Sequence, residues 1–185
     1  MTGVRFFELD QPATQNQKKK MLRAVFGKLP ANVTFIPFDY RSKPVFDALK
    51  RAGYNQRRKT LSIWEGTTML TDRAVVGNTL RSIAKRSGSG SEVVFDYVFD
   101  AVVKGDFSKY LGARYEVVES AAKGEPWKFG IAQGQAAKFV ARRGLDVISD
   151  LGAEELAGKY LVKSDGSQDG KPTPYYRIIH AVVRK

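Results

Sequence analysis

The sequence predicts an α/β protein of the doubly wound class, in which helices cover both faces of a mostly parallel sheet. Strand-like runs begin near residues 4, 33, 61 and 93, and successive starts are separated by roughly 30 residues, the length of a βαβ unit. Helical patterns fill the intervals, which is the alternation that a parallel sheet requires. A final run follows a polar loop instead of a helix, so it is predicted to be antiparallel to its neighbour.

The elements follow one another in a regular order. The predicted strands cover residues 4–9, 33–37, 61–64, 93–99, 145–151 and 176–183. The predicted helices cover residues 12–27, 45–53, 71–85, 136–143 and a segment that begins near 153. Pro12 and Gly27 bound the first helix, because proline suits a first helical turn and glycine suits a helix end.

Residues 100–132 interrupt this order. Short apolar pieces alternate there with Gly105, Gly112, Gly124 and Pro126, so the segment is predicted to be an irregular excursion over the sheet. No linker and no internal repeat separates the remaining elements. We therefore expect a single domain over residues 1–185.

The composition excludes several classes of protein and of site. No apolar run approaches the roughly 20 residues that a membrane-spanning helix needs, and the acids among the first ten residues are not typical of a secretory leader. The chain has no cysteine, which excludes disulfides and thiolate metal sites. One histidine, His180, makes a poor metal site by itself. We expect a cytoplasmic protein without a metal site and without membrane partners.

The charge leaves a nucleic-acid-binding module open as an alternative. Lys and Arg outnumber Asp and Glu by 31 to 19, a formal net charge of +12, and such an excess favours phosphate partners. The basic residues lie in separate clusters at 18–23, 57–59 and 142–143, however. Dispersed clusters are more typical of solvated surfaces than of a binding stripe, so a nucleic-acid partner is not the favoured prediction.

Three successive strands each end in a carboxylate, namely Asp10, Asp39 and Glu65. Ligands of an open parallel sheet bind beyond the carboxyl ends of its strands, and ionised carboxylates only accept hydrogen bonds. The pattern therefore suits a ligand that carries hydroxyl, amine or ammonium groups. The alternative is that each acid caps the helix that follows it.

Six segments, in order, resemble the leucine carboxyl methyltransferase-like family, in its bacterial polyketide O-methyltransferase-type branch. They are FFELDQPATQ (6–15), VTFIPFD (33–39), IWEGTTM (63–69), VFDYV (94–98), GEPWKFG (124–130) and DLG (150–152). The resemblance covers nearly the whole chain. It implies the class I methyltransferase fold, a Rossmann-like three-layer αβα sandwich, and S-adenosyl-L-methionine as the cofactor.

The resemblance also implies roles for individual residues. Asp10 would bind the ribose hydroxyls, Asp39 the adenine amine with Tyr40 beside the ring, and Glu65 the methionyl end. Met69, Trp127 and Phe129 would line the substrate pocket, with residues 100–132 covering it. The expected reaction is methyl transfer to a carboxylate or hydroxyl of a small molecule or protein. Such a transfer depends mainly on aligning and desolvating the two bound reactants. We therefore expect no nucleophile on the protein, and no catalytic residue is assigned.

The sequence departs from the family in two places. The segment Met69-Leu70-Thr71 lacks the tyrosine of the family's Met-Tyr-Leu-Thr run. The first strand of the family, with its glycine-rich turn, would precede Val4. Gly88-Ser89-Gly90 does not replace that turn, because it follows a helix and precedes a strand.

The family strand order is 3-2-1-4-5-7-6, so the missing first strand would be central. We expect one of four outcomes: the strands close up, a second chain such as another copy fills the gap, the fold is marginal, or the natural protein begins earlier, which we favour. Unpaired buried backbone groups cost about 1–3 kcal/mol each, which makes the gap a strong constraint. A non-catalytic remnant that acts by association is the alternative function that this departure leaves open.

Overall fold

The structure is a computed structural model that describes residues 3–39, 44–110 and 112–184. The strands are β1 (Phe6–Asp10), β2 (Val33–Pro37), β3 (Leu61–Trp64), β4 (Glu92–Val98), β5 (Leu145–Leu151) and β6 (Tyr176–Val183). The helices are α1 (Pro12–Phe26), α2 (Val45–Arg51), α3 (Arg73–Arg86), α4 (Asp100–Val103), α5 (Ala113–Ala122), α6 (Ala136–Ala141) and α7 (Ala153–Tyr160). The chain divides into two compact units, residues 1–55 and 56–185. A single domain stays a prediction.

The first unit contains a two-stranded parallel sheet. β1 and β2 pair in register from Phe6 opposite Val33 to Asp10 opposite Pro37. α1 ends as predicted, since Gly27 adopts a left-handed conformation and donates its backbone N–H to Arg23 at 2.9 Å. The buried Gln15 joins helix to strand, because its Nε2 donates to the Glu8 carbonyl at 3.2 Å.

The apolar residues that predict α1 do not all become buried. Met21, Val25 and Phe26 are 62%, 72% and 67% exposed. The hydrophobic periodicity therefore predicts the helix correctly, but the buried apolar residues of this unit are others, among them Phe38, Phe46 and Leu49.

The second unit contains a four-stranded sheet in the order β3-β4-β6-β5. β3 and β4 are parallel, while β6 lies between β4 and β5 and is antiparallel to both. This order is the 4-5-7-6 part of the family order, and the β1–β2 pair is its 2-3 part. The predicted α/β fold class and the antiparallel final strand are confirmed.

The two sides of this sheet differ in burial. Val93, Phe95 and Tyr97 alternate along β4 and are almost fully buried, and α3 likewise buries Val76, Leu80 and Ile83 at helical spacing. The intervening β4 residues are half-buried. The side of the sheet that carries Glu92, Val94 and Asp96 is therefore less completely covered, and its polar residues remain within reach of solvent.

The turn before β4 requires its glycine. A Cβ at Gly88 would lie 2.7 Å from backbone atoms of Arg57 and Arg58, so only a residue without a side chain fits. The Gly88 N–H donates to the Arg58 carbonyl at 3.1 Å. Gly88 therefore allows the backbone before β4 to lie close to the backbone of Arg57 and Arg58.

The segment 100–132 differs in part from its prediction as an irregular excursion, because it contains α4 and α5. α5 buries only Ala113 and exposes Tyr115 and Val118, so it lacks the apolar stripe by which a sequence pattern reveals a helix. Among the described residues, no helix is long and apolar enough to cross a membrane.

Candidate functional site

The first unit brings two predicted site residues to one sheet edge. Asp10 ends β1, and Asp39 follows β2, which runs parallel to β1. Gln11 contacts both: its backbone N–H donates to Asp10 Oδ1 at 2.7 Å, and its Nε2 donates to Asp39 Oδ1 at 3.4 Å. The Phe38 N–H donates to the Asp10 carbonyl at 2.8 Å and prolongs the ladder. The carboxyl ends of parallel strands therefore gather the acids, as the sequence analysis expected.

Both acids are half-buried, so solvent reaches part of each residue. An ionised carboxylate only accepts hydrogen bonds. Asp39 also lines a groove of about 400 Å³ whose other walls come from β2 and α2. The arrangement can accept hydrogen bonds from hydroxyl and amine groups, which are the donors of an adenosine. Tyr40, the predicted neighbour of the adenine ring, lies outside the described residues.

Glu65 lies in the second unit, where β3 has just ended, and its side chain is exposed. The next residue, Gly66, donates its N–H to Asp96 Oδ2 at 2.9 Å, and Thr68 Oγ1 donates to the Asp96 carbonyl at 2.6 Å. Asp96 Oδ1 is buried and has no hydrogen-bond partner among the described residues. The residues that follow β3 are thus hydrogen-bonded to Asp96 on β4, and one carboxylate oxygen of Asp96 lacks a hydrogen-bond partner among the described residues.

Asp96 is not among the site residues predicted from the sequence. Burial raises the pKa of its carboxyl group, and the negative charge of Glu65 raises it further, against the opposing hydrogen bond from Gly66. Its signal was present in the sequence, as the one acid within the apolar strand segment VFDYV. An acid in such a run costs stability, and such costs concentrate at functional sites.

This raised pKa predicts how stability depends on pH. A carboxyl whose folded pKa exceeds its unfolded value of about 3.8 binds its proton more tightly when folded, so its contribution to stability falls as pH rises through that range. We expect Asp96→Asn to be more stable than the wild type at neutral pH, with a gain that disappears below the unfolded pKa. Urea denaturation across a pH series measures this.

The control is Asp106→Asn, whose effect has the opposite sign. Ser108 donates two hydrogen bonds to the exposed Asp106 carboxylate and lowers its pKa, so this variant should lose stability at neutral pH and not at low pH. A gain for Asp96→Asn that stays the same at every pH would contradict the assignment.

The three predicted pocket residues occupy different environments. Met69 and Phe129 are buried, at 3% and 1% exposure, whereas Trp127 is half-buried. The Met69 carbonyl accepts the N–H groups of Lys128 and Phe129 at 2.7 and 3.2 Å, which fixes segment 127–129 against the loop after β3. Their contact with a methyl acceptor stays a prediction.

Aromatic rings surround Trp127. Its ring centroid lies 5.9 Å from that of Tyr176, edge to face, and 6.3 Å from that of Tyr175. Tyr110 lies 6.0 Å from Tyr175 and stacks on Phe99 at 5.6 Å. We name these five residues, Phe99, Tyr110, Trp127, Tyr175 and Tyr176, the aromatic cluster; Tyr110, Trp127 and Tyr176 are its half-buried members.

Charge near the aromatic cluster is negative. Glu116 accepts a hydrogen bond from Tyr175, and burial together with this contact raises the pKa of that phenol. Burial, with the charges of Glu116 and Asp96, raises the pKa of Tyr176 to about 12. Both phenols are therefore neutral at physiological pH. No group of three or more potential metal ligands occurs among the residues that the structure describes.

Comparison with known proteins agrees with this geometry. A family profile described as Leucine carboxyl methyltransferase matches residues 1–84. The Bacillus subtilis (strain 168) protein YktD, whose name describes an S-adenosyl-L-methionine-dependent methyltransferase, is 24% identical over 184 residues, which are 98% of this chain and 59% of YktD. The chain thus spans less than two thirds of this relative.

Solved structures show the same fold. The mitomycin 7-O-methyltransferase MmcR superposes with a TM-score of 0.57 and 14% identity, over 98% of this chain and 42% of MmcR. Magnesium protoporphyrin IX methyltransferase (ChlM) from Synechocystis PCC 6803, a structure with bound SAH, superposes with a TM-score of 0.54 and 12% identity, over 99% of this chain and 65% of ChlM. The predicted resemblance to the leucine carboxyl methyltransferase family is confirmed over residues 1–84, and the fold is that of class I S-adenosylmethionine-dependent methyltransferases.

Proposed function

We propose that this chain binds S-adenosyl-L-methionine and belongs to an enzyme that transfers the methyl group to an oxygen, either a carboxylate or a hydroxyl, of an acceptor. The observation that carries the proposal is the pair of half-buried carboxylates, Asp10 and Asp39, at the carboxyl edge of parallel strands. The names of YktD and of the structurally similar methyltransferases support it.

The donor groups of the cofactor match these acceptors. Asp10 would receive hydrogen bonds from the ribose hydroxyls, and Asp39 would receive one from the adenine amine. Glu65 is an exposed residue of the second unit, and its assignment to the methionyl end of the cofactor stays a prediction of the family resemblance. The bound cofactor supplies an electrophilic methyl group on a sulfonium, and the protein's own residues supply binding, orientation and exclusion of water.

The test is calorimetric titration of the 185-residue chain with S-adenosylhomocysteine, the product form of the cofactor. We expect saturable binding by the wild type. Asp10→Ala and Asp39→Ala should each weaken it about tenfold or more, because a hydrogen bond to a charged group is worth about 1.5–3 kcal/mol.

The matched control is Asp47→Ala, an exposed acid on α2 in the same unit. It should retain the wild-type affinity, provided that circular dichroism shows all variants to be folded. A folded wild type that does not bind, or three alanine variants that weaken binding equally, would refute the proposed function.

A further inference from the structure

We propose that the methyl acceptor is a neutral hydroxyl-bearing aromatic compound, that it binds against the aromatic cluster, and that Asp96 selects it over carboxylates. This inference rests on the proposed function and narrows it. Asp96 and the aromatic cluster all belong to the second unit.

Strand register places Asp96 and Tyr176 on one face of the sheet. Asp96 pairs with Ile178 across the β4–β6 ladder, and Val98 pairs with Tyr176. Directly paired residues share a face, as do residues two apart on one strand, so Asp96 and Tyr176 are diagonal neighbours. The Asp96 carboxylate therefore lies beside the aromatic ring of Tyr176.

That ring is part of a larger half-buried surface. Trp127 meets Tyr176 edge to face at 5.9 Å, and Tyr175 links both to Tyr110. Planar rings favour offset or edge contacts with further rings. Because Tyr110, Trp127 and Tyr176 keep part of their surface open, a planar ligand can extend the cluster beside Asp96.

The charge beside this surface discriminates between acceptors. The negative charges of Glu116 and Asp96 act on Tyr176, Glu116 also accepts a hydrogen bond from Tyr175, and the charge of Glu65 acts on Asp96. Two cations of neighbouring elements are engaged elsewhere, since Arg177 Nε bonds to Asp150 at 2.8 Å and Arg73 Nη2 to the Gly130 carbonyl at 2.7 Å. A carboxylate ligand would meet repulsion here, whereas a hydroxyl would not.

Asp96 also has unused acceptor capacity. Its Oδ2 accepts the Gly66 N–H at 2.9 Å, and its Oδ1 is buried and has no hydrogen-bond partner among residues 3–39, 44–110 and 112–184. A carboxylate accepts several hydrogen bonds. A ligand hydroxyl can therefore donate to Oδ2, whose hydrogen bond with Gly66 is exposed, while burial of the group is the main cause of its raised pKa.

The experiment compares two ligands with the same ring system, 2-naphthol and 2-naphthoate, at neutral pH, where the first is uncharged and the second is an anion. Binding to the 185-residue chain is followed by calorimetry, with and without saturating S-adenosylhomocysteine. We expect 2-naphthol to bind about tenfold more tightly, the size of one hydrogen bond to a charged group.

Variants separate selection by Asp96 from a structural effect. Asp96→Asn should weaken 2-naphthol binding and strengthen 2-naphthoate binding, and opposite changes are not produced by a general loss of structure. Trp127→Ala should weaken both ligands. Asp165→Asn, in an exposed turn where Asp165 contacts Ser167, should change neither.

Each outcome decides the inference. Equal or tighter binding of 2-naphthoate, no binding of either compound, or an Asp96→Asn variant that weakens both ligands alike would overturn it. The S-adenosylhomocysteine titration reports separately on the proposed function: a chain that binds this nucleoside but prefers 2-naphthoate retains that function and loses only the narrower acceptor class.

Discussion

Replacing Phe129 by alanine is expected to lower the free energy of unfolding by about 3–5 kcal/mol, the range for truncating a buried phenylalanine. The Phe129 side chain is 1% exposed, its ring centroid lies 5.4 Å from that of Phe139, and the Arg73 guanidinium lies 5.4 Å from it. Truncation leaves a cavity that these neighbours fill only in part. A loss of this size is a large fraction of a typical net stability of about 5–15 kcal/mol.

Urea denaturation followed by circular dichroism measures this loss. Tyr115→Ala is the matched control, because it removes an aromatic ring that is 72% exposed on α5 in the same unit, and we expect little change. Equal losses in the two variants would show that Phe129 is not buried as described.

Replacing Asp150 by alanine is expected to cost about 2–3 kcal/mol. Its carboxylate connects three strands, since it accepts from the Tyr97 hydroxyl at 3.1 and 3.2 Å and from Arg177 Nε at 2.8 Å. Alanine leaves the buried Tyr97 hydroxyl and the half-buried Arg177 charge without this acceptor. Unsatisfied buried groups cost about 1–3 kcal/mol each, and the partial exposure of Arg177 and Asp150, at 22% and 26%, reduces the charged contribution.

Asp146→Ala on the same strand provides the comparison. Asp146 also pairs with an arginine, Arg184, at 2.7 Å, but both side chains are about half exposed, at 53% and 51%. Exposed ion pairs contribute little, so we expect the midpoint of denaturation to remain close to that of the wild type. An Asp150 variant as stable as the Asp146 variant would show that the three-strand connection does not stabilise the sheet.

Local patterns predicted most of the fold. The β2, β3, β5 and β6 strands begin and end where their apolar runs do, because a strand that pairs on one or both sides needs β-branched and aromatic residues along its whole length. Pro12 and Gly27 likewise fixed α1 through backbone preferences that act within one turn. The family order then placed β6 between β4 and β5, which no local pattern could have done.

Features that depend on distant residues were not predictable in the same way. Which residues of an α-helix become buried depends on tertiary packing. The periodicity of α1 therefore did not reveal that Val25 and Phe26 are exposed. α5 lacks a buried stripe and was not recognised. The importance of Asp96 becomes visible only when Gly66 from the next segment and Tyr176 from the last strand lie beside it.

The most direct test of the central claim, that the chain carries a cofactor site at its strand ends, is nuclear magnetic resonance of the isotope-labelled chain during titration with S-adenosylhomocysteine. We predict that the amide signals of Gln11 and Asp39 shift in a saturable manner, because these groups belong to or adjoin the proposed cofactor-binding residues Asp10 and Asp39. Signals from the polar loop 164–174 should remain unchanged. An unaltered spectrum at saturating ligand, or shifts confined to that loop, would contradict the claim.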